Sequence, residues 1–335
     1  MQLSVIVPAR NEEDCIGDCL RSLAGQSDRV FTLGVDWEIL AVDDGSTDRT
    51  REIAAEVDGV TVIDARPLPK GWTGKANAVW TAAQQAKGEW LLFTDADTIH
   101  EPGDLIRAMH EASKAKVAML SYSPRQIVSG FWQRALMPLV FCELALAYSP
   151  EKVSDPESTL AAANGQFILI KSEAYFAAGG HAAISESVLE DVALARKVKR
   201  RKLGLRFRYA PDALSTRMYR SFGQMYEGWT KNLALLFGNA LALSAWRAID
   251  LFLLVGLPAI FFGLYQPSRL WLVLLLLWLR TLWRFYRRVA RSNFPFWDCA
   301  LSVAGLPLFC WLLARSWFHH TLKKRVVWKG RSYAS

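Results

Sequence analysis

Two hydrophobic periods alternate along the first hundred residues. Leu3–Val7 is a short apolar run of strand length, and Trp37–Val42, Val60–Asp64 and Trp90–Thr94 repeat it. Between these runs the spacing becomes helical. Glu12–Ala24 sets Ile16, Cys19, Leu20 and Leu23 on one face, and Thr47–Glu56 follows Ser46 or Thr47 as a cap. Lys75–Lys87 is an Ala-rich helix predicted to stop at Gly88. Strand and helix in this alternation predict parallel βαβ units. In such sheets ligands bind beyond the carboxyl ends of the strands.

The pattern then loosens. Residues 131–148 are apolar but interrupted by Arg134, Pro138 and Glu143, which suits a helix on a membrane or against a core better than a span. Gln166–Ile170 is another strand, and Val192–Val198 an amphipathic helix. Arg196–Arg208 holds eight Lys/Arg and reads first as a solvated face, with anionic headgroups as the sharper alternative. From Leu233 the composition turns strongly apolar. Segments near 249–265, 270–284 and 297–318 approach the roughly 20 residues a span requires. The expected organisation is a domain over 1–232 and an interfacial and transmembrane region over 233–335.

Charge sharpens this division. Residues 266–335 carry twelve Lys/Arg and one acid, Asp298, so the basicity of the chain (+8 overall) belongs to its C-terminal part. Nine of the 14 Trp lie at or beyond Trp229, among those same arginines and apolar runs. That mixture points to a membrane surface and away from nucleic acid, which would need the basic residues on a polar domain. The arginines between 280 and 291 and Lys323-Lys324-Arg325 each favour a cytosolic position, which conflicts with a single crossing by 297–318. The N-terminus does not read as a signal peptide, because Leu3–Val7 is short and acids follow soon after. A multi-pass protein of the inner or plasma membrane with its first domain in the cytosol is expected. The five Cys show neither disulfide nor zinc spacing.

Three acidic motifs carry the candidate chemistry. Asp43-Asp44 ends a strand before Gly45-Ser46, where carboxylates can read a ribose or base, or merely close a turn. Asp95-Ala96-Asp97 ends another strand, and two carboxylates around one small residue suit Mg²⁺ or Mn²⁺ on a diphosphate. Glu190-Asp191 opens a helix, either as ordinary N-terminal charge or as a general base. His100 reads as the start of the following helix rather than a metal ligand.

The ordered set Val5-Ile-Val-Pro-Ala-Arg-Asn-Glu12, Val42-Asp-Asp-Gly-Ser-Thr-Asp48, Gly71-Trp-Thr-Gly-Lys-Ala76, Thr94-Asp-Ala-Asp97 and Leu189-Glu-Asp191 resembles the family 2 glycosyltransferases of the GT-A fold, over roughly residues 1–235. The resemblance implies a Rossmann-like α/β nucleotide-diphospho-sugar transferase domain and an inverting transfer from a nucleoside diphosphate-sugar, usually UDP-linked. It assigns Pro8, Ala9, Arg10, Glu12, Asp43 and Asp44 to the nucleotide, and Lys75 to the donor. It assigns Asp95 and Asp97 to the divalent cation and diphosphate, and Asp191 to the base that deprotonates the acceptor. Arg217 and Arg220, candidate donor contacts facing the diphosphate, fall where processive members carry Gln-x-x-Arg-Trp. Here the stretch is Arg217-Met-Tyr-Arg-Ser221, without the Trp, which favours a single transfer over polymer synthesis. Arg217-Met-Tyr, Glu227-Gly-Trp and Lys231-Asn232 ahead of apolar helices resemble the membrane-anchored branch acting on carotenoids, hopanoids and ceramide. Its acceptor loop falls at Gly179-Gly180-His181, where His181 reads as a turn histidine or as an acceptor contact, and Glu190 is a further candidate acceptor contact. The expected partners are a nucleotide-sugar donor, a lipid acceptor and the membrane. The alternatives are a polyprenyl-phosphate sugar synthase, a surface-polymer transferase, or a non-catalytic membrane scaffold.

Overall fold

The computed structural model describes the backbone of residues 1–263, 269–323, 325–328 and 331–334, and the side chains of residues 1–260 and 271–322. Residues 264, 265 and 324, included in the span and tail expectations above, lie outside the described residues.

The chain forms two units, 1–127 with 150–218, and 128–149 with 219–335. The first unit holds strands β1 (Leu3–Ala9), β2 (Trp37–Asp43), β3 (Val60–Asp64), β4 (Trp90–Phe93), β5 (Thr98–His100), β6 (Met119–Ser123), β7 (Arg125–Gln126), β8 (Ile168–Lys171), β9 (Leu205–Tyr209) and β10 (Leu214–Thr216). Its helices are α1 (Ile16–Ala24), α2 (Thr50–Ala55), α3 (Gly74–Ala83), α4 (Asp104–Lys114), α6 (Pro150–Ser154), α7 (Ser172–Ala177) and α8 (Glu190–Arg200). The second unit holds α5 (Gly130–Ala147), α9 (Phe222–Leu236), α10 (Ala240–Leu251), α11 (Leu257–Gly263), α12 (Arg269–Val289), α13 (Phe296–Ala300) and α14 (Ser302–Phe318).

The main sheet of the first unit runs β3-β2-β1-β4-β8-β6-β9. β1 pairs in parallel with both β2 and β4, so the alternation near the N-terminus does produce parallel βαβ units. The sheet is nonetheless mixed, because β8 is antiparallel to β4 and β6. Leu3, Val5, Val7, Ile39 and Leu92 are fully buried on these strands, and α1 packs Ile16, Cys19, Leu20 and Leu23 onto the same core. Trp37 stacks on Phe31 at 5.4 Å and donates its indole N–H to the Phe31 carbonyl, so a large aromatic is buried without an orphan donor.

Some boundaries differ from expectation for identifiable reasons. α3 starts where Thr73 accepts from the Ala76 N–H, and it ends at Ala83 well before Gly88. Gly88 serves the β1–β4 approach instead: a Cβ there would lie 2.4 Å from the Ser4 nitrogen. α2 begins at Thr50 rather than Thr47, because Asp48 takes the Thr50 N–H and hydroxyl and holds the preceding residues in a turn. His100 lies in β5, buried, and bonds Thr94 and Asp104 as a strut rather than starting a helix. Part of the basic run is also engaged: Arg206 and Arg208 pair with Glu111, and Lys199 donates to the carbonyls of Val153 and Leu160.

The boundary between units is 218/219, not 232/233, and α5 belongs with the C-terminal helices. Composition changes only at Leu233, but packing changes earlier. α9 buries Met225, Trp229 and Leu233, and Trp229 donates to the Met137 sulfur of α5. α14 contains the 297–318 segment's apolar part. It passes so close to α5 at Gly305 that a Cβ would lie 2.2 Å from the Ala135 carbonyl. Its Leu306, Phe309, Leu312 and Leu313 are buried within this unit.

Among the described residues, one helical stretch, Ala240–Ile260, is long and apolar enough to cross a membrane. Arg247 and Asp250 lie in its middle and do not stand alone. Arg247 contacts Asp250 at 2.8 Å and Glu143 of α5 at 3.3 Å, and Arg288 of α12 contacts Asp250 at 2.7 Å. This shared charge cluster joins three helices.

Candidate active site

The site is assembled at the carboxyl ends of β1, β2 and β4, where chain direction leaves loops free to face a ligand. β1 and β2 end in register at Ala9 and Asp43. Asp44 donates its N–H to the Ala9 carbonyl at 2.9 Å, and Arg10 donates to the Asp44 carbonyl at 2.6 Å. Asn11, left-handed at φ 52°, accepts the Thr47 N–H through its side chain and donates its own N–H to the Ser46 hydroxyl. Asp43 accepts the Ser46 N–H on both oxygens, and Gly45 supplies φ 69° for that turn. Pro8, Ala9, Arg10, Asp43 and Asp44 are thus brought together. Glu12 donates its N–H to Thr50, while its carboxylate takes the Cys15 thiol.

The second half of the site forms around an ammonium group. Lys75, in the first turn of α3, places Nζ 2.7 Å from Asp95 Oδ1 and 2.8 Å from Glu190 Oε1. Burial alone would lower its pKa, but Asp95 and Glu190 outweigh that and raise it well above the ordinary lysine value. Over a third of the side chain (37%) remains accessible, so this pairing is screened and still open to an incoming anion. Glu190 and Asp191 open α8, where the free backbone N–H groups favour negative charge. Asp191 accepts the Val192 N–H at 2.7 Å and the Gly165 N–H at 3.1 Å. Burial, and next the charge of Glu190, push its pKa up to about 6, against the opposing pull of Lys75. Asp97 lies next to β5, and its carbonyl accepts the Thr216 hydroxyl at 3.2 Å.

Two contributors were not found from sequence. Gly165 leaves room for the lysine, because a Cβ there would lie 3.0 Å from Lys75 Nζ. Its only signal was an Asn-Gly pair ahead of a strand. Tyr175 fixes His181. Its hydroxyl accepts the His181 backbone N–H at 3.1 Å and stands 2.9 Å from Nδ1; a proton donated to Nδ1 there corresponds to the Nε2–H tautomer. His181 is buried, with its pKa pushed down to about 4 by that burial. With Lys75, Asp95, Gly165 and Glu190 it lines a pocket closed by Pro8 and Phe93. Glu190 therefore faces Lys75 and precedes Asp191. Arg217 directly follows β10 in the first unit, whereas Arg220 belongs to the second unit.

Among the described residues no group of three or more His, Cys, Asp or Glu is arranged to hold a metal unaided. Asp95 and Asp97 stand one residue apart after β4, and the Asp95 carboxylate is on the Lys75 ammonium.

The sequence model of the family described as "Glycosyl transferase family 2" matches residues 4–192, more than half of the chain. The chain is 26% identical to 4,4'-diaponeurosporenoate glycosyltransferase of Staphylococcus aureus strain USA300, over 99% of this chain and 88% of that one. The protein of the same name from strain MRSA252 is 29% identical over 69% of this chain and 60% of its own. In fold, the chain is similar to a mannosyltransferase from Pyrobaculum calidifontis solved with GDP-Man and Mn2+. The TM-score is 0.56 at 19% identity, covering 96% of this chain and 88% of that one. The mixed α/β architecture agrees with the GT-A-like fold that the motifs implied.

Proposed function

Since the chain belongs to glycosyl transferase family 2 and is a glycosyltransferase, we propose that it moves one hexosyl group from a nucleoside diphosphate-sugar to a hydrophobic lipid acceptor, with inversion. The observation that carries this reading is the Lys75 ammonium held between Asp95 and Glu190, with the Asp191 carboxylate beside it. Departure of a diphosphate needs positive charge where negative charge develops. Attack from the opposite face needs a proton acceptor there. Both requirements have a candidate residue in this one cluster.

In this reading the Pro8–Glu12 loop and Asp43-Asp44 seat the nucleotide, and Lys75 faces the diphosphate. Asp95 and Asp97 would hold Mg²⁺ or Mn²⁺, which when bound supplies further charge to the diphosphate. The C1–O bond to the diphosphate breaks and its electron pair leaves with that group. The acceptor oxygen bonds C1 from the other face, and its proton passes to Asp191. The Gly165 N–H orients the accepting carboxylate, and Glu190 raises its proton affinity. His181 Nε2–H offers a neutral donor to a sugar or acceptor oxygen.

The acceptor class follows the relative named for a carotenoid carboxylate, 4,4'-diaponeurosporenoate. UDP-hexose is the preferred donor on family resemblance, and the missing Trp after Arg220 supports a single transfer. Membrane association is assigned to the second unit, with the nucleotide side cytosolic.

The test uses the full chain in mild detergent, titrated with UDP-glucose, UDP-galactose, UDP-GlcNAc and GDP-mannose, with and without Mn²⁺. A carotenoid acid and a carotenoid alcohol are then offered. Metal-dependent transfer is expected, abolished in Asp97→Asn for both acceptors and, in Asp191→Asn, lost chiefly toward the alcohol. Folded protein that binds no donor would overturn the reading in favour of a scaffold.

A further inference from the structure

α12 was expected to cross the membrane near 270–284, yet its arginines are not distributed as a spanning helix requires. At 100° per residue, Arg269, Arg280, Arg284, Arg287 and Arg288 all fall within a sector of roughly 100°. Arg288 is at the edge of that sector and turns inward to Asp250. The buried side of the helix, marked by Phe285 and Val289, faces the rest of the second unit.

The exposed side divides into two strips from Arg280 onward. One strip is Leu272, Leu276, Leu279 and Trp283, spaced four, three and four residues apart and each 45–58% exposed. The adjacent strip carries Arg280, Arg284 and Arg287 in its C-terminal half and the half-exposed Val273 and Leu277 in its N-terminal half, so the run that is apolar all round, 270–279, is ten residues or about 15 Å long. No ion pair to Arg280, Arg284 or Arg287 is formed among the described residues, and the only acid in residues 266–335, Asp298, is taken by Arg134. Arg287 lies over the Trp283 ring at 5.0 Å, across the boundary between the strips.

A crossing helix needs apolar residues all round for roughly 30 Å. A helix lying in the interface needs an apolar strip beside a basic one. We infer that α12 lies along one leaflet of an anionic phospholipid membrane, with Leu272, Leu276, Leu279 and Trp283 among the acyl chains and Arg280, Arg284 and Arg287 on headgroup phosphates. The charge identifies the occupant. A second protein copy would bring its own basic face, whereas anionic lipid answers both strips. The transferase reading does not enter this inference.

The test reads depth and charge separately in the full chain. Leu272→Cys and Trp283→Cys, each in a Cys310→Ser background, would carry an environment-sensitive thiol label in vesicles of phosphatidylcholine with and without phosphatidylglycerol. Quenching by lipids brominated at defined depths locates each label. The two sites are 11 residues, about 16 Å, apart along the axis. In-plane seating predicts equal, shallow depths. Depths differing by most of that length would mean crossing and would overturn the inference, as would labels shielded from both water and lipid. The Arg280→Gln/Arg284→Gln/Arg287→Gln variant should lose on the order of 100-fold in affinity for anionic vesicles while keeping that for neutral ones. Equal binding of the unaltered chain to both vesicle types would also overturn it.

Discussion

Lys75 Nζ stands 2.8 Å from Glu190 Oε1, so the first turn of α3 and the start of α8 are held by one ion pair. Asp95 takes the same ammonium at 2.7 Å, and Asp191 follows Glu190 directly. Charge at one of these groups is therefore felt by the others. Lys75 lowers the proton affinity of Asp191 and Glu190 raises it. Lys75→Met should move the acid limb of the kcat/KM profile to higher pH, and Glu190→Gln should move it lower. Lys75→Met should also cost on the order of 100-fold in kcat, the scale of one lost electrostatic donor. Profiles that shift together, or not at all, would separate these residues from Asp191.

Asp191 itself sets the next expectation. With its pKa pushed up to about 6, the base form forms as pH rises through that value. Activity should fall about tenfold per pH unit well below 6. Asp191→Asn should retain donor binding by calorimetry and lose roughly 10²–10⁴-fold in kcat toward an alcohol acceptor. A carboxylate acceptor is already ionised, so the loss should be smaller. Comparing the two acceptors in one variant therefore reports what Asp191 does. Stability carries the opposite sign. A folded pKa above the unfolded value favours folding at low pH, and this contribution is lost as pH rises through about 6. The Asn variant should gain in Tm relative to the parent above that pH.

His181 gives a third expectation. Burial pushes its pKa down to about 4, so the folded state keeps the ring neutral where the unfolded chain takes a proton. Its stabilising contribution is full above about 6.5 and is lost as pH falls towards 4. Tm of His181→Asn should therefore drop less between those values than that of the parent. Tyr175→Phe removes the hydroxyl that stands 2.9 Å from Nδ1. It should lower kcat/KM on the order of tenfold and leave the limb near pH 6 in place. A limb that moves in either variant would mean that His181, not Asp191, is the titrating group.

The strand–helix alternation and both acidic strand ends were legible because period and motif are local. Glu190-Asp191 was legible as a pair, but its proximity to Lys75 depends on the fold bringing α3 and α8 together. Gly165 and Tyr175 were not legible, since a missing side chain and a second partner to a histidine leave no periodic trace. The second unit starts ahead of the change in composition for a related reason. α5 and α9 mix polar and apolar residues, and only packing through Trp229 and Met137 identifies them with the C-terminal helices. The span reading of α12 follows its apolar count, and the in-plane inference follows the angular position of its arginines, which the sequence also contains.

The charge cluster around Asp250 supplies the last prediction. Arg247, of the same helix α10, and Arg288 of α12 both reach its carboxylate, at 2.8 and 2.7 Å, and Arg247 extends the contact to Glu143 of α5. These side chains are only 10–22% exposed, so water replaces little of a lost partner. Removing one charge leaves the others buried without compensation, which typically costs about 3–5 kcal/mol. Asp250→Leu should approach the lower end of that range, because the two arginines retain Glu143. Asp250→Leu combined with Arg288→Leu removes one charge of each sign and should recover part of the loss. Thermal unfolding of the four proteins of this cycle, in one detergent at one pH, measures the coupling. Strict additivity would show that Arg288 and Asp250 do not act as a pair, and that the apolar contacts of α12 hold it in place without them.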